Sequence, residues 1–198
     1  PPFIRTLDAT PGADGVFEFP AVPPSDYFLS LRSDSPGQLW SIATTTFGGR
    51  VRTDEALRID ADVAVRDLEV TAIRANGSLS GVVHDTSGQT SRYFIVVCAV
   101  DRIYWHALSR RVRLTRPDNR GAYRVAGLPS GQYAIALLTD VGPGELSSET
   151  LLSAIVSSPS SVRLNVDGQA HTTQDLRVTG SPLVASSGVS YLGGRQRN

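Results

Sequence analysis

The chain has no lysine, no methionine and a single cysteine, and aromatic residues make up only 7% of its 198 positions. Without lysine there is no Schiff-base chemistry, no phosphate-loop lysine and no Lys–Asn isopeptide cross-link. All nineteen basic residues are arginine and are matched by nineteen acids. No net field therefore favours nucleic acid or an anionic membrane. Methionine is missing even at position 1, so the expectation is that the original start, with any signal peptide, has been removed. Cys98, inside FIVVCAV, cannot form an intramolecular disulfide and reads as a small apolar core residue, which is compatible with an exported bacterial protein. The longest apolar run, residues 94–100, is far short of the ~20 residues a membrane helix requires. No membrane span is expected.

What remains is a strand-rich sequence punctuated by 18 glycines and 12 prolines. Short β-prone runs occur at residues 16–19, 27–31, 64–70, 79–83, 93–100, 122–125, 133–138 and 175–178, most of them separated by Gly, Pro, Asn or Asp. Only residues 147–157 read as helix. Ser147 or Ser148 can cap it, Glu149 suits its first turn, and Leu151, Leu152, Ile155 and Val156 share a face. The expected fold class is all-β, with one short helix in the second half.

The strongest signal is an internal repeat. GVFEFPAVP from Gly15 matches GAYRVAGLP from Gly121, and the same offset of 106 pairs Tyr27 with Tyr133 and Leu31 with Leu137. Asp67-Leu68-Glu69-Val70-Thr71 matches Asp175-Leu176-Arg177-Val178-Thr179 at an offset of 108. The small drift suits loop variation between tandem domains. The expected division is 1–74, 75–180 and a C-terminal extension, 181–198.

The run from Asp118 through Gly121, Leu128-Pro129-Ser130-Gly131 and Tyr133, preceded by Gly81-Val82-Val83 and a strand at 93–99, resembles the carboxypeptidase regulatory-like domain. That family belongs to the transthyretin-like (prealbumin-like) β-sandwiches. The resemblance implies two tandem sandwiches of an accessory, extracellular and usually non-catalytic kind. The first copy departs from the pattern in lacking the glycine of the second turn, where Ser25 or Asp26 stands.

Sites of chemistry are sparse. His84, His106 and His171 belong to unrelated segments, and no zinc or metalloprotease spacing is present. Gly77-Ser78-Leu79-Ser80-Gly81 has leucine where a nucleophile elbow has serine. No catalytic residue, metal or cofactor is assigned, and the protein is read as a non-enzyme. Asp60, Asp62, Asp67 and Glu69 alternate as a solvated strand face rather than a calcium loop. Arg110, Arg111, Arg113 and Arg116 form the one basic cluster. Period two places Arg111 and Arg113 outward, as a polar sheet face or protein contact, with Val112 and Leu114 inward. Trp40, Tyr104 and Trp105 are candidates for stacking against carbohydrate, and Asn76-Gly77-Ser78 is an N-glycosylation sequon.

The repeat also exposes an absence. Shifting the strands at 79–83 and 93–100 back by 106 places their first-copy counterparts ahead of Pro1. Phe3, Ile4, Val16, Phe17, Phe19 and Tyr27 then lose core partners and become candidate acceptor residues. The extension SPLVASSGVSYLGGRQRN supplies a candidate donor: Leu183, Ala185, Val189 and Tyr191 alternate at period two, interrupted by Ser187, with Val184 and Leu192 beside them. The resulting expectation is an extracellular or cell-surface structural subunit. Its partners are copies of itself, assembled head to tail by strand complementation, with bound or covalent glycans as further partners. The alternative is an accessory carbohydrate- or protein-binding module of a larger secreted protein.

Overall fold

The computed structural model describes residues 6–32, 40–61, 64–74, 77–142 and 144–178. The fold is all-β, with a single α-helix among the described residues. Two regions, 6–74 and 77–178, share no strand pairing among the described residues.

In the C-terminal region two sheets face each other. One holds β6 (Ser78–His84) at its centre, paired antiparallel with β9 (Ala122–Ala126) and parallel with β12 (His171–Thr173) and β13 (Leu176–Arg177). The other runs β11 (Val162–Val166), β10 (Gly131–Leu138), β7 (Phe94–Ala99) and β8 (Val112–Thr115), antiparallel throughout. Leu79, Val83, Tyr123 and Val125 from the first sheet meet Ile95, Val97, Tyr133 and Ile135 from the second in one buried cluster. β7 is apolar at successive positions because both of its faces are covered. Its other face, with Val96 and Cys98, packs with Ala134, Ala136 and Leu138 against α1 (Glu149–Ser157), through Leu151, Leu152 and Ile155. Ser148 caps this helix, its side chain accepting from Leu151 N–H at 3.4 Å. Val156 is only half-buried. Burial pushes the Cys98 thiol up to about 12, so it sits in the core as an unreactive group.

The N-terminal region is built differently. β1 (Ser25–Tyr27) pairs with β4 (Leu57–Ile59) in a ladder of three residue pairs. β2 (Trp40–Phe47) pairs with β3 (Arg50–Val51) and β5 (Glu69–Arg74), with a register shift between Ile42 and Thr44. Its Ile-Ala-Thr-Thr-Thr run is rich in β-branched residues, which favours the extended form. Of the buried apolar residues among those described, only Ile42 and Leu57 belong to this region.

The repeat is visible in atomic detail. Gly12 N–H donates to Val16 C=O at 2.8 Å and Gly15 N–H to Gly12 C=O at 2.9 Å. At an offset of 106, Asp118 N–H donates to Ala122 C=O and Gly121 N–H to Asp118 C=O, both at 2.9 Å. Gly15 and Gly121 take φ of 81° and 82°, a left-handed conformation that glycine adopts without Cβ strain. Ala21 (φ 53°) stands where Gly127 (φ 70°) does. The Tyr27 hydroxyl donates to Pro23 C=O at 2.7 Å, as Tyr133 does to Pro129 C=O at 2.8 Å. The ladder β1–β4, Ser25 opposite Ile59 and Tyr27 opposite Leu57, reproduces β10–β11, Gly131 opposite Val166 and Tyr133 opposite Leu164.

Four sequence expectations are corrected. The strand expected at 64–70 begins only at Glu69 and runs on to Arg74. Residues 16–19 form no strand; their counterpart β9 exists by pairing with β6, which has no counterpart among the described residues of the N-terminal region. The strand expected at 27–31 is confined to Ser25–Tyr27 for the same reason, since the remainder of β10 is held by β7. Arg111 is turned inward and buried while Leu114 is 40% exposed, the reverse of the expected facing. Arg111 belongs to the turn before β8, where strand alternation does not govern it.

Candidate functional site

The feature that sets the N-terminal region apart is a strand-ready surface without strand partners among the described residues. Residues 16–20 alternate exposed, half-buried, exposed, half-buried, exposed. β9 has the same alternation with its inward pair fully covered: Tyr123 and Val125 are 4% and 6% exposed. Phe17 and Phe19, in the inward positions, rest edge to face against each other at 5.9 Å between ring centroids. Val16 is 67% exposed. The edge of β1 that corresponds to the β7-facing edge of β10 also lacks a partner among the described residues. Unpaired edges beside half-covered aromatic rings favour strand addition. Of the acceptor candidates, Val16, Phe17 and Phe19 share this surface, and Tyr27 forms the corner beside it. Phe3 and Ile4 lie outside the described residues, as do Asn76 and the donor candidates Leu183, Val184, Ala185, Val189, Tyr191 and Leu192.

A second feature joins the two regions. Asp54, in the turn between β3 and β4 with φ 64°, receives Arg110 Nε at 2.5 Å on one carboxylate oxygen and Arg111 Nε at 2.6 Å on the other. The Arg110 guanidinium also donates to the Ser41 hydroxyl and, at 2.5 Å, to Ile42 C=O. Arg111 donates to Ser130 C=O at 2.9 Å and lies 4.4 Å from the Tyr104 ring centroid. All three charged groups are largely withdrawn from water. Beside them the His106 ring stacks on Phe28 at 4.0 Å and Nε2 donates to Asp54 C=O at 3.3 Å, leaving a buried Nδ1 with no partner. Burial holds the His106 pKa below its ordinary value, with the Asp54 contacts opposing. None of this joint follows from local pattern. The Arg110-Arg111 pair flags itself as a cluster, but its acceptor lies more than fifty positions earlier in the chain.

The carbohydrate-stacking candidates do not converge. Trp40 opens β2, 40% exposed, with Arg74 5.8 Å from its ring. Tyr104 packs on the inter-sheet core beneath Arg111. Trp105 packs on the helix-side core and donates its indole N–H to Ala99 C=O at 2.8 Å. His171 meets Ser78 Oγ at 2.8 Å on Nδ1 and Ser80 Oγ at 3.2 Å on Nε2, so neither ring nitrogen faces a carboxylate. Of the acidic alternation, Glu69 opens β5, Asp60 and Asp67 lie outside strands, and Asp62 is outside the described residues. No cluster of metal-ligating groups occurs among the described residues, and no helix there is long and apolar enough to cross a membrane. A hollow of ≈ 550 Å³ lies at the far end of β6, lined by His84, Asp85, Arg120, Arg177 and Val178 among others. No protein-family model and no curated protein matches the chain.

Proposed function

We propose that this protein is a non-enzymatic structural subunit whose N-terminal region is a β-sandwich of the carboxypeptidase regulatory-like kind completed by added strands. One observation carries the reading: residues 16–20 and 25–27 hold the turns, left-handed positions and tyrosine corner of β9 and β10, yet among the described residues lack the partners that β6 and β7 provide there. The donor is the extension 181–198 of a neighbouring copy. Such a contact is heterologous, so successive copies add head to tail into a fibre unless the rotation closes a ring. An extracellular or cell-surface location fits a fibre of this type. β12 and β13 run parallel to β6, so the described chain ends at Val178 beside His84, away from the joint at Gly77.

The expected result is that the full chain forms concentration-dependent assemblies by light scattering and filaments by negative-stain microscopy, while a chain ending at residue 180 stays monomeric. A shortened chain that still polymerises, or a full chain that stays monomeric at high concentration, refutes the fibre reading.

A second reading has its own support. In the C-terminal region β6 and β7 precede β9 and β10 within one chain. In that reading a longer secreted polypeptide supplies both strands itself and the protein is an accessory binding module. A polypeptide extended by its native preceding residues would then fold as a monomer, with residues 16–20 protected from hydrogen exchange.

A further inference from the structure

We infer that the hollow at the far end of β6 is a binding site for a small ligand bearing an oxyanion group, a carboxylate, sulfate or phosphate, held by Arg120 and Arg177. The site is independent of strand addition and lies at the opposite end of β6 from the joint.

The hollow forms where the end of β6, the turn at 85–88, the turn at 118–121 and the end of β13 meet. Its walls are tied to one another. Val83 N–H donates to Gly121 C=O at 2.8 Å, and Val178 N–H donates to His84 C=O at 3.1 Å. The Thr90 hydroxyl donates to Asp118 C=O at 3.3 Å. The volume of ≈ 550 Å³ is that of a pre-formed small-ligand site. Val82 and Val178 give it apolar surface, and Arg120, Arg177 and Asn119 bring donors to it.

The charges around it are unequally engaged. Asp85 accepts from Ser87 N–H at 3.0 Å, from the Ser87 hydroxyl at 2.5 Å and from the Tyr93 hydroxyl at 3.2 Å, and its side chain is only 5% exposed. Asp175 accepts from Val82 N–H at 2.8 Å and lies 3.5 Å from His84 Nε2. The Arg120 and Arg177 guanidinium groups, by contrast, make no ion pair or side-chain hydrogen bond among the described residues. Two planar donor forks beside a hollow suit an oxyanion, which guanidinium can grip through paired hydrogen bonds.

The repeat shows that the fold itself does not call for these arginines. Arg120 corresponds to Asp14 at the offset of 106 and Arg177 to Glu69 at 108, while the adjacent Gly121 and Leu176 keep Gly15 and Leu68 as counterparts. Asp14 has a local task, accepting Val16 N–H at 3.0 Å. In the second copy Asp118 takes over that task, accepting Arg120 and Ala122 N–H at 2.8 and 2.9 Å. The side chain at 120 is thereby released from the turn. Charge reverses at both positions while the framework beside them is kept, and an anionic ligand accounts for the reversal.

The test is saturation-transfer NMR on the full-length chain, which reads ligand protons and so serves for monomer and assembly alike. The probes are glucuronate, glucose 6-sulfate and glucose 6-phosphate at millimolar concentration, with glucose as the neutral control. At least one charged sugar should show transfer about fivefold or more above glucose, and the strongest of the three identifies the oxyanion. R120Q/R177Q, which alters only exposed side chains, should keep the parent's melting temperature and lose that transfer, whereas R50Q/R113Q, also exposed, should retain it. If the first pair melts lower, R120Q and R177Q are read singly, each with a partial loss. Equal transfer from glucose and the charged sugars, or none from any of them, overturns the inference. So does an equal loss in R50Q/R113Q, which would reduce the effect to overall charge.

Discussion

The two copies of one sequence phrase, beginning at Gly15 and at Gly121, hold the same turn, the same left-handed corner and the same tyrosine hydrogen bond. One of them leads into a strand and the other does not. The difference lies in what each can pair with: residues 122–126 find β6, and residues 16–20 find no strand among the described residues. Turn geometry is thus written locally, whereas strand formation is settled by the neighbour. The comparison also separates two kinds of cohesion. The C-terminal region is held by two apolar clusters, the N-terminal region by a short ladder, a thin sheet and a charged clamp onto its larger neighbour.

Breaking the clamp should have the largest effect. Asp54→Asn keeps a side chain that tolerates φ 64° but strands two largely buried guanidinium groups, for which a loss of about 3–5 kcal/mol is expected. Each region carries one tryptophan, Trp40 and Trp105, so urea titrations of single-tryptophan variants can follow them separately. The Trp40 signal should unfold at markedly lower urea than in the parent. Unchanged midpoints for both would show that the clamp does not hold the N-terminal region.

The left-handed corner offers an opposed pair. Gly127→Ala should cost roughly 1–2 kcal/mol, because a Cβ is forced into the left-handed region there. Ala21→Gly relieves that strain but frees the unfolded chain, so its net effect should be small, within about 1 kcal/mol. Equal destabilisation by both, in thermal melts, would mean that the matching φ values do not reflect matching constraints. The tyrosine corners form a milder pair. Tyr133→Phe leaves a buried Pro129 carbonyl short of its donor and should lose about 1 kcal/mol or more, whereas Tyr27→Phe, half-exposed, should lose only a few tenths.

Acidification probes the joint. The depressed pKa of His106 means that its neutral form belongs to the folded state and that the unfolded chain binds the proton more readily. The contribution is complete above the ordinary histidine value of 6.5 and is lost as the pH falls from there toward the folded value. Melts at pH 7.5 and 5.5 should show a drop that shrinks in His106→Gln. An unaltered drop in that variant would move the pH response to another group.

Where partners lie within the C-terminal region, the sequence is a good guide to the structure. The alternations at β9 and β10, the apolar run of β7 and the serine-capped helix are all legible, because each residue's inward or outward role is met by a neighbouring element. Residues 16–19 read equally well as a strand and form none, since alternation records a capacity for pairing rather than the pair. β2 escapes notice because its Thr-rich run contains little apolar contrast, although its β-branching suits extension. The clamp is invisible from sequence for a different reason. Asp54 and the arginines have no periodicity linking them, and a turn arginine follows no strand alternation.

The placement of β6 between β9 on one side and β12 and β13 on the other has a mechanical consequence. A pull between Gly77 and Val178 drags β6 and β13 along their common direction, from opposite ends of the sheet. The load falls at once on the contacts tying them together: Gln174 N–H to Ser80 C=O at 2.8 Å, Val82 N–H to Asp175 Oδ1 at 2.8 Å and Val178 N–H to His84 C=O at 3.1 Å. These bonds are sheared together rather than opened one by one, so rupture requires a large fraction of them to fail in a single event. A load applied between these two points is thus borne by the parallel pairing of β6 with β13.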